Sequence, residues 1–152
     1  MGITGGRTGC TAEVSTVNSS TGNEALTVTR QTFTARQLRR LRRIVLSAAR
    51  RAGLSAQRSG QLVLAVNEAA TNAIKHAGGR GLVEVLQDNG NRLIAVVSDH
   101  GPGLPARVAL HRPGLEATGG RGLWLMNEVC DRVEVSSDAG GTRVRLEMSL
   151  SA

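Results

Sequence analysis

Apolar and polar positions alternate through "ALTVTRQTF", residues 25–33, which predicts a first strand. From there the period lengthens. Leu38, Leu41, Val45, Ala48 and Ala52 recur at helical spacing with arginine on the other faces, between Thr34 as N-cap and Gly53 as the residue that ends the helix. Ser55 opens a second helix, expected to run to about His76 and to stop at Gly78-Gly79. "GLVEVLQ" and "RLIAVVS" flank Asp88-Asn89-Gly90-Asn91, a hairpin signal. Residues 104–119 hold Pro105 and Pro113 and show no period, so they read as a long loop of the kind that forms a lid or binding segment. A short helix is expected over about 121–130, and then "RVEVSS", the turn "DAGG" and "TRVRLEMSL" form a closing hairpin. Residues 1–24 are rich in Gly, Ser and Thr with scarcely a large apolar side chain. They are expected to form a disordered tail ahead of a single domain over 25–152. Helices early, hairpins late and no βαβ alternation predict an α+β fold, an α/β sandwich with helices on one face of a mostly antiparallel, mixed sheet.

Composition narrows the core and the partners. Of 152 residues 40% are hydrophobic, but the aromatics are only Phe33 and Trp124, so the core must be aliphatic, with Trp124 expected to join it. Formal charge is +7, and Lys75 is the only lysine among 19 basic residues. Such a balance points to an acidic partner: nucleic acid, nucleotide phosphate or an acidic protein face. Cys10 and Cys130 lie far apart without CxxC spacing, which excludes a disulfide framework and a zinc site. No apolar run approaches membrane-spanning length and the first residues lack a signal-peptide core, so a cytoplasmic, reduced protein is expected.

Four stretches carry candidate chemistry. In "LAVNEAATNAIKHA", Val66, Ala69, Ala70, Ala73 and Ala77 share one face of the second helix. Glu68 and Asn72 lie four apart, within ~40° of each other and away from that face, with Lys75 near the same line. On their own they read as a solvated helix face. If the face looks into a site, Glu68 can serve as a base and Asn72 as a neutral hard oxygen ligand for Mg²⁺, which takes its other ligands from phosphate and water. In "VVSDHGPGLP", a β-branched run ends at Asp99 and is followed by Gly101 and Gly103. Either Asp99 caps its own turn, or it reads something lying against that permissive backbone. "TGGRGLWLM" sets Gly119, Gly120 and Gly122 at a helix start, where exposed N–H groups can seat a phosphate and Arg121 can add charge. "GGT" at 140–142 alone reads as a hairpin turn. There is no GxxxxGK[ST] loop and no strand–GxGxxG–helix unit.

Taken in order, Glu68-x-x-x-Asn72, Asp99-x-Gly101-x-Gly103, Gly120-Arg121-Gly122-Leu123 and Gly141-Thr142 resemble the N, G1, G2 and G3 boxes of the GHKL ATPases. Within that superfamily, "NEAATNAIKHA" and "DHGPGLP" are similar to the wording of the small anti-sigma factor kinases, over roughly residues 25–150. The resemblance implies the Bergerat ATP-binding fold, with ATP or ADP between the long helix and a 104–119 lid. Asp99 would accept a hydrogen bond from the adenine amino group, and Gly101 and Gly103 would let the backbone approach the base. Asn72 would bind Mg²⁺, and Glu68 would be the base toward a substrate serine. Gly120, Arg121, Gly122 and Leu123 would belong to the segment that wraps the phosphates, and Thr142 would support the base end through the Asp99 region.

The implied protein is an anti-sigma factor with serine/threonine kinase activity. It would phosphorylate an anti-anti-sigma (STAS-type) protein, sequester a sigma factor and form a homodimer, with no nucleic-acid or membrane partner. The alternative is a non-catalytic ATP-binding module that acts by sequestration. A histidine kinase is disfavoured: His76, His100 and His111 all lie within or beyond the ATP motifs, and no helix pair precedes them to carry a phosphoacceptor. Nucleic-acid binding through the seven arginines of residues 36–51 is disfavoured because aromatic stacking platforms are missing. In the resembling family the first strand and helix lie near the dimer and sigma-binding surface, so Arg39, Arg40 and Arg43 are expected to meet an acidic partner.

Overall fold

The computed structural model describes residues 16–18, 24–76, 78–89, 91–101 and 121–150. The elements run in the order β1 (Thr16–Asn18), β2 (Glu24–Thr34), a 3-10 turn (Ala35–Gln37), α1 (Leu38–Ala52), α2 (Ala56–His76), β3 (Arg80–Asp88), β4 (Arg92–Ser98), α3 (Arg121–Val129), β5 (Arg132–Asp138) and β6 (Gly141–Ser149). The described strands form one sheet in the order β1-β2-β3-β4-β6-β5, and every adjacent pair is antiparallel.

The expected mixed character is thereby corrected, and the connections explain why. Two antiparallel helices separate β2 from β3, and an even number of helices returns the chain in the opposite direction. The single helix α3 does make β4 and β5 point the same way, but β6 inserts between them and pairs with both. The expected tail is also corrected over Thr16–Asn18, which pair with Glu24–Leu26. Main-chain bonding to a neighbouring strand needs no large apolar side chain, so composition did not reveal this edge strand.

Local signals set the helix ends. The Thr34 N–H donates to Gln37 Oε1 at 3.0 Å, which starts the 3-10 turn rather than α1 directly. Gly53 adopts φ +108°, the left-handed conformation that lets its N–H and that of Leu54 close back on α1. Ser55 Oγ accepts from the Arg58 N–H at 3.1 Å and caps α2.

Helices α1, α2 and α3 pack on one sheet face. Leu41, Val45 and Ala48 of α1, Leu62, Val66 and Ala70 of α2, and Leu123 and Met126 of α3 close over Val83, Val85, Ala95, Val97, Val144 and Leu146. Phe33 is buried there too, whereas Trp124 is only half-buried. The alanines on α2 let that long helix lie close to the sheet, with its Glu68–Asn72 side turned toward α3. On the opposite face, Ile94 and Val96 are 2% and 1% exposed, beside ion pairs such as Arg145–Glu147 at 2.8 Å and Arg92–Glu147 at 3.2 Å.

Cys130 follows α3 and is buried. Desolvation, reinforced by the Asp131 carboxylate, pushes its thiol up to about 12. The folded state therefore keeps the proton while an unfolded thiol loses it near 9.0, so this group's contribution to stability falls as pH rises through that window. Native protein treated with iodoacetamide at mildly alkaline pH should leave Cys130 unlabelled, and denatured protein should label it fully, as read by peptide mass spectrometry. Fast native labelling would show that this site opens.

Candidate functional site

The sequence places Glu68 and Asn72 one turn apart on α2, Asp99 just beyond β4, Gly122 and Leu123 in the first turn of α3, and Thr142 at the start of β6. The fold brings these four segments to one end of the helix–sheet interface. A cleft there has an apolar floor of Ala73, Val97, Leu123 and Val144 and a polar rim of Asn72, His76, Asp99 and Thr142. Glu68 and Gly122 adjoin it. A Cβ built on Gly122 would lie 3.4 Å from Asn72 Nδ2, 3.6 Å from Glu68 Cβ and 3.7 Å from Glu68 Oε1. Helix α3 thus approaches α2 through a residue without a side chain, at the two polar groups that α2 turns toward it.

Asp99 is the best-defined part of the site. Its Oδ1 accepts the Gly101 N–H at 2.9 Å and the Thr142 N–H at 3.1 Å, while its own N–H donates to the Thr142 carbonyl at 2.9 Å. The turn-capping reading of "SDHG" is what the structure shows: one carboxylate oxygen closes the turn, while Oδ2 has no hydrogen-bond partner among the described residues. A carboxylate can only accept, so Oδ2 leaves an acceptor at the rim of the cleft. The Thr142 hydroxyl is oriented from the other side by Ser137 Oγ at 3.1 Å.

Gly141 holds this arrangement in place. It adopts φ +140°, and a Cβ there would overlap the Asp99 carbonyl oxygen and lie 2.9 Å from the Asp99 carbonyl carbon and 3.0 Å from His100 Cα. Strained φ and backbone overlap together should make Gly141→Ala cost about 2–4 kcal/mol. That corresponds to a drop of roughly 5–15 °C in thermal midpoint. Gly140→Ala is the control, since its Cβ would meet only the Asp138 carboxylate at 3.2 Å. Equal melting of the two variants would mean that β6 does not need this close approach.

Of the residues singled out from sequence, Glu68, Asn72, Asp99, Gly101, Gly122, Leu123 and Thr142 come together here. Arg121 opens α3. Gly103, Gly120 and the expected lid over 104–119 lie outside the described residues, as does Ala77. His76, read from sequence as a helix-end residue, lines the cleft. Its spacing of four from Asn72 was the available signal, because i and i+4 share a helix face. Among the described residues no helix is long and apolar enough to cross a membrane.

A family model described as "Histidine kinase-like ATPase domain" matches residues 32–148. No curated protein matches the sequence. Among solved structures, the chain is similar to the histidine kinase domain of the Erythrobacter litoralis EL346 blue-light activated histidine kinase. Identity is 22% and the TM-score 0.53, over 79% of this chain and 68% of that one. A second structure of the Erythrobacter litoralis EL346 kinase is 27% identical with a TM-score of 0.52, over 64% of this chain and 32% of that one. Full-length ShkA in complex with AMPPNP is 20% identical with a TM-score of 0.51, over 77% of this chain and 30% of that one. The chain thus spans about a third of the length of these last two proteins.

Proposed function

The chain belongs to the histidine kinase-like ATPase domain family, and we propose that it is a serine/threonine protein kinase acting as an anti-sigma factor. Binding of ATP and ADP follows from the family. The finer reading rests on the four motifs and on one observation: Glu68 stands half-buried at the margin of the cleft, beside Asn72 and Gly122. A site that only held nucleotide has no need of a carboxylate there, where it would face phosphate.

In this reading the adenine ring lies on the apolar floor and its amino group donates to Asp99 Oδ2. Guanine would present a carbonyl at that point, and two acceptors repel. Asn72 is the residue that would hold Mg²⁺, through its side-chain carbonyl. Among the described residues no group of three or more His, Cys, Asp or Glu could hold a metal, which fits a hard cation that takes most of its ligands from phosphate and water. When bound, that ion neutralises phosphate charge. Glu68 takes the proton of the incoming serine hydroxyl as its oxygen bonds to the γ-phosphorus. The bond from that phosphorus to the bridging oxygen breaks, and ADP leaves. The substrate is a STAS-type anti-anti-sigma protein, the sequestered partner a sigma factor, the working form a homodimer and the setting the cytoplasm.

The test starts from calorimetric titration of ATP and ADP in the presence of Mg²⁺. The chain is then incubated with ATP and a STAS-type protein from the same cell, and phosphoamino acids are read by mass spectrometry. Phosphoserine or phosphothreonine on that protein is the expected result. A stable complex without transfer would replace kinase by a non-catalytic sequestering module, and phosphohistidine on the acceptor would replace the serine reading.

A further inference from the structure

The arginines fall on two surfaces that differ in one respect. On the sheet face opposite the helices, Arg30, Arg92, Arg132 and Arg145 are matched by Glu84, Glu134 and Glu147 through ion pairs of 2.8 to 3.6 Å. On the helix layer Arg58 of α2 pairs with Asp131 at 2.7 Å, but among the described residues the arginines of α1 are not matched. Helix α1, "LRRLRRIVLSAARRA", carries six arginines and no acid. The only acid on α2 is Glu68, which lies against Gly122 of α3. Among the described residues, Arg39, Arg43 and Arg50 make no ion pair.

Two leucines stand in the same place. Leu46 of α1 and Leu64 of α2 are 40% and 43% exposed. The helices are joined by residues 53–55 and run antiparallel, and Arg42 Nη1 donates to Asn67 Oδ1 across them at 3.0 Å. Leu46 is one turn beyond Arg42, and Leu64 is about one turn before Asn67, so the two leucines come level on the outer surface of the pair. One further turn along α2, Gly60 leaves open space where a side chain would stand. At ~100° per residue, Arg39, Arg43, Leu46 and Arg50 occupy an arc of about 60° on α1, whereas Arg40, expected from sequence to act with Arg39 and Arg43, lies outside it, toward the other flank, and is set apart from them here.

We propose that this α1–α2 face binds an acidic amphipathic helix of a partner protein. Apolar residues of that helix at i, i+3 and i+4 meet Leu46 and Leu64, and its flanking carboxylates meet Arg39, Arg43 and Arg50. The six arginines of α1, with no acid on that helix, select an acidic partner. The leucine pair favours a protein helix over nucleic acid, which would leave it unused, and over a membrane surface, which needs a continuous apolar face. The surface lies apart from the nucleotide cleft, so the inference does not depend on phosphoryl transfer.

The test uses the whole chain and two fluorescein-labelled peptides of about 18 residues, five helical turns. One carries Leu at i, i+3, i+4 and i+7 with Glu on the flanks; the other has the same composition in scrambled order. Binding is read by anisotropy at low salt, where charge is little screened. The patterned peptide should bind roughly tenfold more tightly than the scrambled one, and Leu46→Ser with Leu64→Ser should erase that difference. Arg39→Glu with Arg43→Glu should abolish binding, Arg40→Glu should change it less than about twofold, and ATP affinity should be unchanged in every variant. Equal binding of both peptides, no binding of the patterned one, or equal loss with Arg40→Glu would overturn the proposal. So would tighter binding to anionic vesicles or duplex DNA that ignores the leucine substitutions.

Discussion

Glu68→Ala should slow phosphoryl transfer to a protein serine by roughly 10²–10⁴-fold, the usual worth of a positioned general base. ATP affinity should stay within a few-fold of wild type, because Asp99 and most of the cleft floor (Val97, Leu123 and Val144) lie on other elements and Glu68 only adjoins the cleft. The expectation follows from position. Glu68 is half-buried on α2, one turn before Asn72, and its Oε1 lies 3.7 Å from where a Cβ on Gly122 would stand. An aliphatic stub there removes the only carboxylate on α2 without opening the core, since Leu62, Val66, Ala69 and Ala73 bury the other side of the helix. The readouts are initial rate of phosphoserine formation, calorimetric ATP affinity and affinity for the protein partner. Slow transfer with both affinities intact assigns the base. Unchanged transfer moves the base elsewhere. Under the sequestering alternative no transfer occurs in either protein, and partner binding ignores the substitution.

Much of this arrangement was legible in sequence because the signals were local. The helix ends at Thr34, Gly53 and Ser55, the Asp88-Asn89-Gly90-Asn91 turn and the two hairpins each follow from a few neighbouring residues. What escaped was set by long-range contact. Gly141 reads as part of a turn, yet its constraint is the Asp99 backbone, distant in sequence but touching it in the fold. The unbroken apolar run of β4 does signal burial, but what covers its second face escaped, because the β6 neighbours of Ile94 and Val96, Glu147 and Arg145, are charged. The position of β6 between β4 and β5 depends on which pairings win in three dimensions. The cleft itself was readable only as an ordered set of weak motifs. Asp99, Asn72 and Thr142 become a site through their shared rim, whereas His76 carried a usable spacing that its place at a helix end obscured.

Asp99→Asn should weaken ATP binding by about 100-fold, or ~2.7 kcal/mol, with little change in melting temperature. The asparagine oxygen can keep the two bonds that Asp99 Oδ1 now accepts from the Gly101 and Thr142 N–H groups, so the turn and the start of β6 survive. What changes is the second atom. An amide nitrogen would replace Oδ2 and present a donor to the adenine amino group, itself a donor, so an attractive contact becomes a repulsive one. Asp99→Ala should lose affinity as well, but it also strips the acceptor from two N–H groups and should cost roughly 1–3 kcal/mol of stability. The pair of variants thus separates recognition from scaffolding. The same exchange should narrow the preference for ATP over GTP, because the guanine carbonyl can accept from the new amide. Titrations of both nucleotides against wild type and the two variants, with a thermal melt of each protein, give the answer. If Asp99→Asn bound ATP as wild type does, Oδ2 would not read the base, and the nucleotide would have to lie elsewhere along the Asn72–Gly122 margin.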